Sequence, residues 1–328
     1  MKFLVSVLRL LPPEIAHSVA LNSLNIIHRL NLVPFLFPFK DNSSTFAYKN
    51  LIFKNKLGIA AGLDKNGDYI DSLGSLGFGF IEVGTVTPLP QEGNPKPRIF
   101  RFPFEQALIN RLGFNNKGVD YLVKNLRARK FLGIVGVNVG SNKNSEGQKR
   151  IDDYVECIER VSPYADYITI NISSPNTPNL RALHATENLI PLFSAIKQAI
   201  ENANYLNPVF IKISPDEAEE TILDIIQAIK DFAFDGVIAS NTTIDRTELN
   251  DISGHNIAGG LSGRPLFNKS TDLLKKIHKH DQDLLKVAVG GVFNSKDYEE
   301  KLESGASLVQ IYTSFIYEGP QVVSKLLQ

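Results

Sequence analysis

The chain has 328 residues, 35 Lys plus Arg against 35 Asp plus Glu, and 43% hydrophobic residues. This allows one large α/β domain with an appendage, or two domains, with a sizeable core, and the neutral total argues against a general nucleic-acid binder. The single cysteine, Cys157, excludes an internal disulfide or cysteine metal cluster, and the histidines lack HExxH-like spacing, so no metal is expected.

Residues 1–40 differ from the rest. Phe3, Leu4, Val5, Val7, Leu8, Leu10 and Leu11 form an apolar run interrupted by Arg9. It is too short to span a membrane and has no small-residue cleavage site. Pro12-Pro13 starts a second helix with Glu14 in its first turn. His17, Leu21, Leu24 and His28 share one face of it. Leu32 to Phe39 is rich in large apolar groups, and Lys2, Arg9, Arg29 and Lys40 stand against Glu14 alone. These features suit a helix pair on an anionic membrane surface, or equally a helical hairpin packed on its own domain.

Phe46 to Phe53 reads as a hairpin turning at Lys49-Asn50. A rhythm of β then α follows. Strand-like runs are Leu57–Ala61, Phe80–Val86, Gly133–Val139, Tyr167–Ile172, Pro208–Ile213, Gly236–Ser240, Lys286–Val289 and Leu308–Tyr312. Helical segments include Ala185–Asn202, Pro215–Phe232 and Asn294–Ser304, and Cys157 reads as a packed helix residue. Pro88 to Phe114 reads as a long loop. The expected architecture is a (β/α)8 TIM barrel with an N-terminal helical extension and a small β-hairpin at the barrel base. An open doubly wound sheet lacks its GxGxxG, since Gly74 to Gly79 ends a helix rather than opening one.

Polar groups crowd the strand ends, where barrel enzymes keep their chemistry. They include Ala61-Gly-Leu-Asp-Lys65, Thr85, Asn138, Asn171, Ser174, Lys212, Ser240, Asn241, Thr242, Gly291, Tyr312 and Thr313. Amides supply paired donors and acceptors for a flat heterocycle. Lysines offset anionic charge, and the glycines of Gly290-Gly291 and Gly259–Arg264 let backbone N–H groups approach a phosphate. Lys65 reads equally well as a solvated loop residue. Lys212 interrupts an apolar strand, where a buried ammonium needs a partner.

Leu57–Asn66, Ile81–Pro88, Lys96–Arg101, Leu108–Asn116, Asn171–Pro178, Gly260–Leu266 and Leu308–Thr313 together resemble the class 2, quinone-dependent dihydroorotate dehydrogenases of bacterial type. Pro12 to His17 resembles the start of their extension. The resemblance implies oxidation of dihydroorotate to orotate in pyrimidine synthesis, with FMN as cofactor. It implies FMN contacts from Ala61, Gly62, Leu63, Asp64, Lys65, Thr85, Asn138, Asn171, Lys212, Ser240, Gly263, Gly291, Tyr312 and Thr313. It implies substrate contacts from Lys65, Asn110, Arg111, Leu112, Gly113, Phe114, Asn171, Asn176, Asn241 and Thr242. His17, Arg101 and Tyr312 match the quinone passage. Ser174 matches the catalytic base, where a cysteine would mark class 1. Ser141, Asn179 and Ser240 depart from common family residues without removing a catalytic group.

On that resemblance Ser174 takes the C5 proton of dihydroorotate while a hydride leaves C6, with Thr177 as a candidate relay member. The final acceptor is a membrane quinone, ubiquinone or menaquinone, reached through residues 1–40. The expected unit is a monomer lying peripherally on the cytoplasmic side of the cell membrane, with residues 41–328 forming the barrel. The alternatives are a class 1 enzyme using fumarate or NAD, a Schiff-base aldolase with Lys212 as nucleophile, and a non-catalytic membrane-binding module.

Overall fold

The computed structural model describes residue 8 and residues 10–39, 44–177 and 180–328. The start of the apolar run, together with Lys2, Arg9, Lys40 and Asn179, lies outside the described residues.

Thirteen strands are present among the described residues. They are β1 (Phe46–Tyr48), β2 (Leu51–Phe53), β3 (Leu57–Ile59), β4 (Phe80–Val86), β5 (Ile99–Phe102), β6 (Ala107–Asn110) and β7 (Ile134–Val139). Then come β8 (Tyr167–Asn171), β9 (Val209–Ile213), β10 (Gly236–Ala239), β11 (Gly260–Gly263), β12 (Leu285–Val289) and β13 (Leu308–Ile311). Strands β3, β4, β7, β8, β9, β10, β12 and β13 close a parallel barrel in that order. All eight expected runs are barrel strands.

Alternation along the strands separates two cores. Ile81, Val83, Ile168, Ile170, Ile211 and Ile213 face the outer helices. Phe80, Tyr167, Phe210, Ile238 and Leu308 pack together in the barrel interior. Tyr167 contacts both Phe80 and Phe210 edge-on, and Phe53 of the β1–β2 hairpin meets Phe80 with ring centroids 5.4 Å apart. The hairpin thus closes the barrel base. Gly58 and Gly136 make room for these rings: an added Cβ would lie 2.4 Å from Phe80 and 2.0 Å from Tyr167, respectively.

The expected loop from Pro88 to Phe114 is corrected. It contains β5 and β6, which pair antiparallel, and β11 joins β6. Phe102, Ala107, Ile109 and Leu261 give this sheet its own small core with Leu249. Within Gly259 to Arg264, whose glycines were expected to let backbone N–H groups approach a phosphate, Gly260–Gly263 forms strand β11. Only this pairing brings Gly260 opposite Asn110.

The extension helix spans Pro13–Arg29, with Pro at its first position, Glu14 in the first turn, and His28 and Arg29 in the last. Leu21 and Leu24 are buried, while His17 and His28 on the same face are half-buried. The helix packs on Ile70–Gly74 and β5. Ile15, Val19, Ile26 and Leu30 stay exposed. No helix of the described residues is long and apolar enough to cross a membrane.

Candidate active site

Above the aromatic layer the barrel interior turns polar. Glu82, two residues after Phe80 on the same face, is fully buried. Its carboxylate accepts from Asn138 Nδ2 (2.8 Å), Tyr167 OH (3.0 Å) and Gln310 Nε2 (2.6 Å). Three donors offset the cost of burying a carboxylate. Lys212, equally two residues after Phe210, has no hydrogen bond or ion pair among the described residues. Burial pushes its pKa down, opposed by the charge of Glu82.

Asn138 lies under the pocket rather than on its wall. Its Oδ1 accepts from Thr85 Oγ1 at 2.6 Å and from Asn171 Nδ2 at 3.1 Å. Asn171 Nδ2 also donates to Thr85 Oγ1 at 3.0 Å. These three side chains, from the ends of β4, β7 and β8, lock one another's orientation.

The pocket opens above them at the carboxyl ends of the strands. Ala61, Gly62, Lys65, Thr85, Asn171, Lys212, Ser240, Gly263, Gly291, Tyr312 and Thr313 line it. So do Asn110, Leu112, Gly113, Phe114, Ser174, Asn176, Asn241 and Thr242. Asn176 Nδ2 donates to Asn110 Oδ1 at 3.3 Å, and Asn241 Nδ2 donates to Ser173 Oγ at 3.0 Å. Ser174 is buried, with its Oγ accepting from the Asn176 N–H at 3.2 Å. Thr177 Oγ1 is buried without a partner among the described residues. Lys65 is half-buried, and desolvation lowers its pKa to about 8, with Arg98 acting in the same direction.

Three expected contact residues besides Asn138 stand off the pocket wall. Asp64 is buried behind the loop, accepting from the N–H groups of Asp68 (2.9 Å) and Tyr69 (2.8 Å), and burial raises its pKa to about 6. Leu63 faces a second cavity. Arg111 donates to Pro97 O at 2.9 Å and stacks on Phe100. Ser262, Phe293, Gln310 and Ser314 line the pocket without having been singled out from the sequence. The alternation of Leu308-Val-Gln-Ile311 was the available signal for Gln310, since a polar residue in a buried strand must face polar company.

The second cavity is apolar and lies between the extension helix and the barrel mouth. Ala16, His17, Ala20, Leu21, Leu24, Arg101 and Phe315 line it, and Tyr312, Asn110 and Ser262 belong to both cavities. His17, Arg101 and Tyr312, expected on one passage, do share it. Arg101 Nη2 donates to Leu11 O. Burial lowers the His17 pKa to about 4, with the Lys65 charge adding to the effect.

The residues fit a phosphorylated planar cofactor. Thr242 Oγ1, Gln310 Oε1 and Ser314 Oγ are buried at the pocket without partners among the described residues. Added Cβ atoms would strike Gln106 O at 2.1 Å from Gly263 and Phe267 Cα at 2.5 Å from Gly291, so these walls stay bare backbone. A closed parallel barrel whose mouth carries this amide, lysine and glycine set defines an α/β-barrel enzyme.

The dihydroorotate dehydrogenase profile matches residues 44–328. A protein of Saccharophagus degradans named dihydroorotate dehydrogenase (quinone) is 45% identical over 320 residues, covering 96% of this chain and 94% of its own length. One of the same name from Marinobacter nauticus is 46% identical, covering 97% of this chain and 95% of its own. The crystal structure of DHODH from Eimeria tenella in complex with ferulenol superposes with a TM-score of 0.86 at 34% identity, over 96% of this chain and 89% of that one. The chain belongs to the dihydroorotate dehydrogenase family.

Proposed function

We propose that the protein oxidises dihydroorotate to orotate in pyrimidine biosynthesis, with FMN as cofactor and a membrane quinone as final electron acceptor. The observation that carries this reading is the meeting of a polar and an apolar cavity at Tyr312, Asn110 and Ser262. Such a junction suits an enzyme whose two substrates differ in polarity and exchange electrons through one cofactor.

The pocket residues Ala61, Gly62, Lys65, Thr85, Asn171, Lys212, Ser240, Gly263, Gly291, Tyr312 and Thr313 would hold FMN, with Leu63, Asp64 and Asn138 supporting them from behind. When bound, FMN supplies a two-electron acceptor that can pass electrons on to a quinone. Asn110, Asn171, Asn176 and Asn241 orient the pyrimidine ring through its amide edges. Leu112, Gly113, Phe114 and Thr242 complete the substrate wall, and Arg111 braces its loop. Lys65 faces the substrate carboxylate, and Lys212 sets a positive charge where a reduced cofactor gathers negative charge. Ser174 Oγ removes the proton at C5. A hydroxyl is a weak base, so the proton must pass onward, and the unpartnered Thr177 Oγ1 is a candidate for the next position.

Residues 1–40 form the extension and 41–328 the barrel, in a monomer held peripherally on the cytoplasmic side of the cell membrane. The exposed apolar side chains Ile15, Val19, Ile26, Leu30 and Phe35 support the membrane contact. The quinone then enters past His17 and Arg101. The test is an anaerobic spectrum of the purified protein. A yellow protein that bleaches with dihydroorotate and recolours with a soluble quinone, but not with fumarate or NAD, is expected. A flavin-loaded protein that dihydroorotate fails to bleach would sink the substrate assignment.

A further inference from the structure

A chain of hydrogen bonds runs from the extension helix into the substrate loops. Glu14 Oε1, in the first turn of the helix, accepts from Arg98 Nε at 3.0 Å and Nη2 at 2.7 Å. Arg98 is buried, and its remaining nitrogen, Nη1, donates to Glu92 O at 2.6 Å and Asn94 O at 3.0 Å. Asn94 Nδ2 then donates to two carbonyls: Arg111 O at 3.0 Å and Asn176 O at 3.2 Å. The Asn94 N–H donates to Leu112 O at 3.0 Å, and Lys143 Nζ donates to Asn94 Oδ1 at 3.0 Å.

The packing leaves no slack along this route. A Cβ at Gly93 would lie 2.3 Å from Leu112 O, and one at Gly113 would lie 2.8 Å from Asn94 Nδ2. Both glycines have positive φ, so backbone and side chain meet there at a distance only glycine permits. Asn94 therefore ties the 110–114 loop to the segment carrying Ser174 and Asn176, beside the direct bond from Asn176 to Asn110.

We infer that Glu14, through Arg98 and Asn94, positions the substrate loops, so that the extension helix supports dihydroorotate binding in addition to covering the apolar cavity. This rests on the proposed function of the pocket. Glu14, Arg98 and Asn94 are positioning residues and touch no substrate themselves. The coupling is also electrostatic. Besides burial, the charges acting on the half-buried Lys65 are Arg98, which lowers its pKa, and Glu14 and Asp64, which raise it, while His17 feels the Lys65 charge from the extension side.

The test uses the full-length, flavin-loaded enzyme and its Glu14→Gln variant. Orotate affinity, dihydroorotate KM, kcat and quinone KM are measured across pH, with thermal midpoints as a folding control. The expected result is a three- to tenfold weaker orotate Kd and a matching rise in dihydroorotate KM, roughly what weakening a charge-assisted hydrogen bond produces. The quinone KM and kcat stay within about twofold, Glu14→Asp restores part of the loss, and the alkaline limb of orotate binding moves to lower pH. Asn94→Ala should give the same KM-against-kcat split, and the double variant should cost less than the sum. Unchanged orotate binding in both single variants, with normal thermal midpoints, would overturn the inference alone. A wild-type protein that binds no orotate would overturn the proposed function, and this inference with it.

Discussion

The pocket at the barrel mouth draws residues from seven of the eight barrel strands or their ends, with β7 supporting it from beneath through Asn138, whereas the cavity beside it takes its largest share from one helix laid across the opening. Orientation in the pocket is fixed by interlocked polar groups: Asn138, Asn171 and Thr85 bond one another within 3.1 Å above the Glu82 carboxylate. In the cavity, alanines and leucines of Pro13–Arg29 leave space without direction. The contrast matches two kinds of recognition. A rigid polar site can hold a small ring in one reactive pose, and a soft apolar one accepts a quinone without demanding a single geometry.

Breaking the polar side should cost most. Ser174→Ala is expected to slow cofactor reduction by dihydroorotate about 10²- to 10⁴-fold, the usual worth of a positioned proton acceptor. Orotate binding should persist, because the asparagine set is untouched. Stopped-flow bleaching measures this, and a wild-type rate would remove Ser174 from its role. Lys212→Met follows, with a loss of about 10²- to 10³-fold in cofactor reduction from removing a preorganised charge in a water-poor site. Its readout is the cofactor's reduction potential, which should fall; an unchanged potential would count against the charge role.

The apolar side should break separately. Ala20→Trp fills the cavity beside the extension helix and is expected to reduce quinone turnover by roughly ten- to a hundredfold, by steric exclusion from a preformed site. Bleaching by dihydroorotate should stay near wild type. Equal losses in both half-reactions would mean that the two cavities are not functionally distinct.

The same contrast explains what could be read from the sequence. The barrel was legible because its strands are β-branched runs buried on both faces, separated by helical periods. The polar strand ends stood out against that background. The sheet of β5, β6 and β11 did not. Its strands are four residues long, β11 is Gly-Leu-Ser-Gly, and its partner β6 lies some 150 residues earlier, so no local period marks the pairing. Asn138 and Asp64 were found as polar groups near the site, but position along the chain could not show that they sit behind the wall. The tie made by Arg98 and Asn94 carried no local signal, although Arg98 stands in a stretch that carries the resemblance, because Glu14 and Asn176 each lie more than 80 residues away.

The finest test of the division concerns Lys65, which lies near the boundary and feels charges from both sides. Its pKa is lowered to about 8, chiefly by burial. Below that pH the ammonium is charged and attracts the orotate carboxylate; above it the attraction fades. The Kd for orotate should therefore rise by at most about tenfold between pH 7 and pH 9, as the protonated fraction falls. Binding itself stabilises the charged form and raises the Lys65 pKa in the complex, so the rise in Kd levels off once the pH passes that raised value. Lys65→Met should bind orotate more weakly at pH 7 and show a flatter profile. Quinone affinity, which involves no anion, should not follow this curve. A quinone KM that tracked the orotate profile would show that Lys65 acts on both cavities, and that the boundary at Tyr312 is electrostatically open.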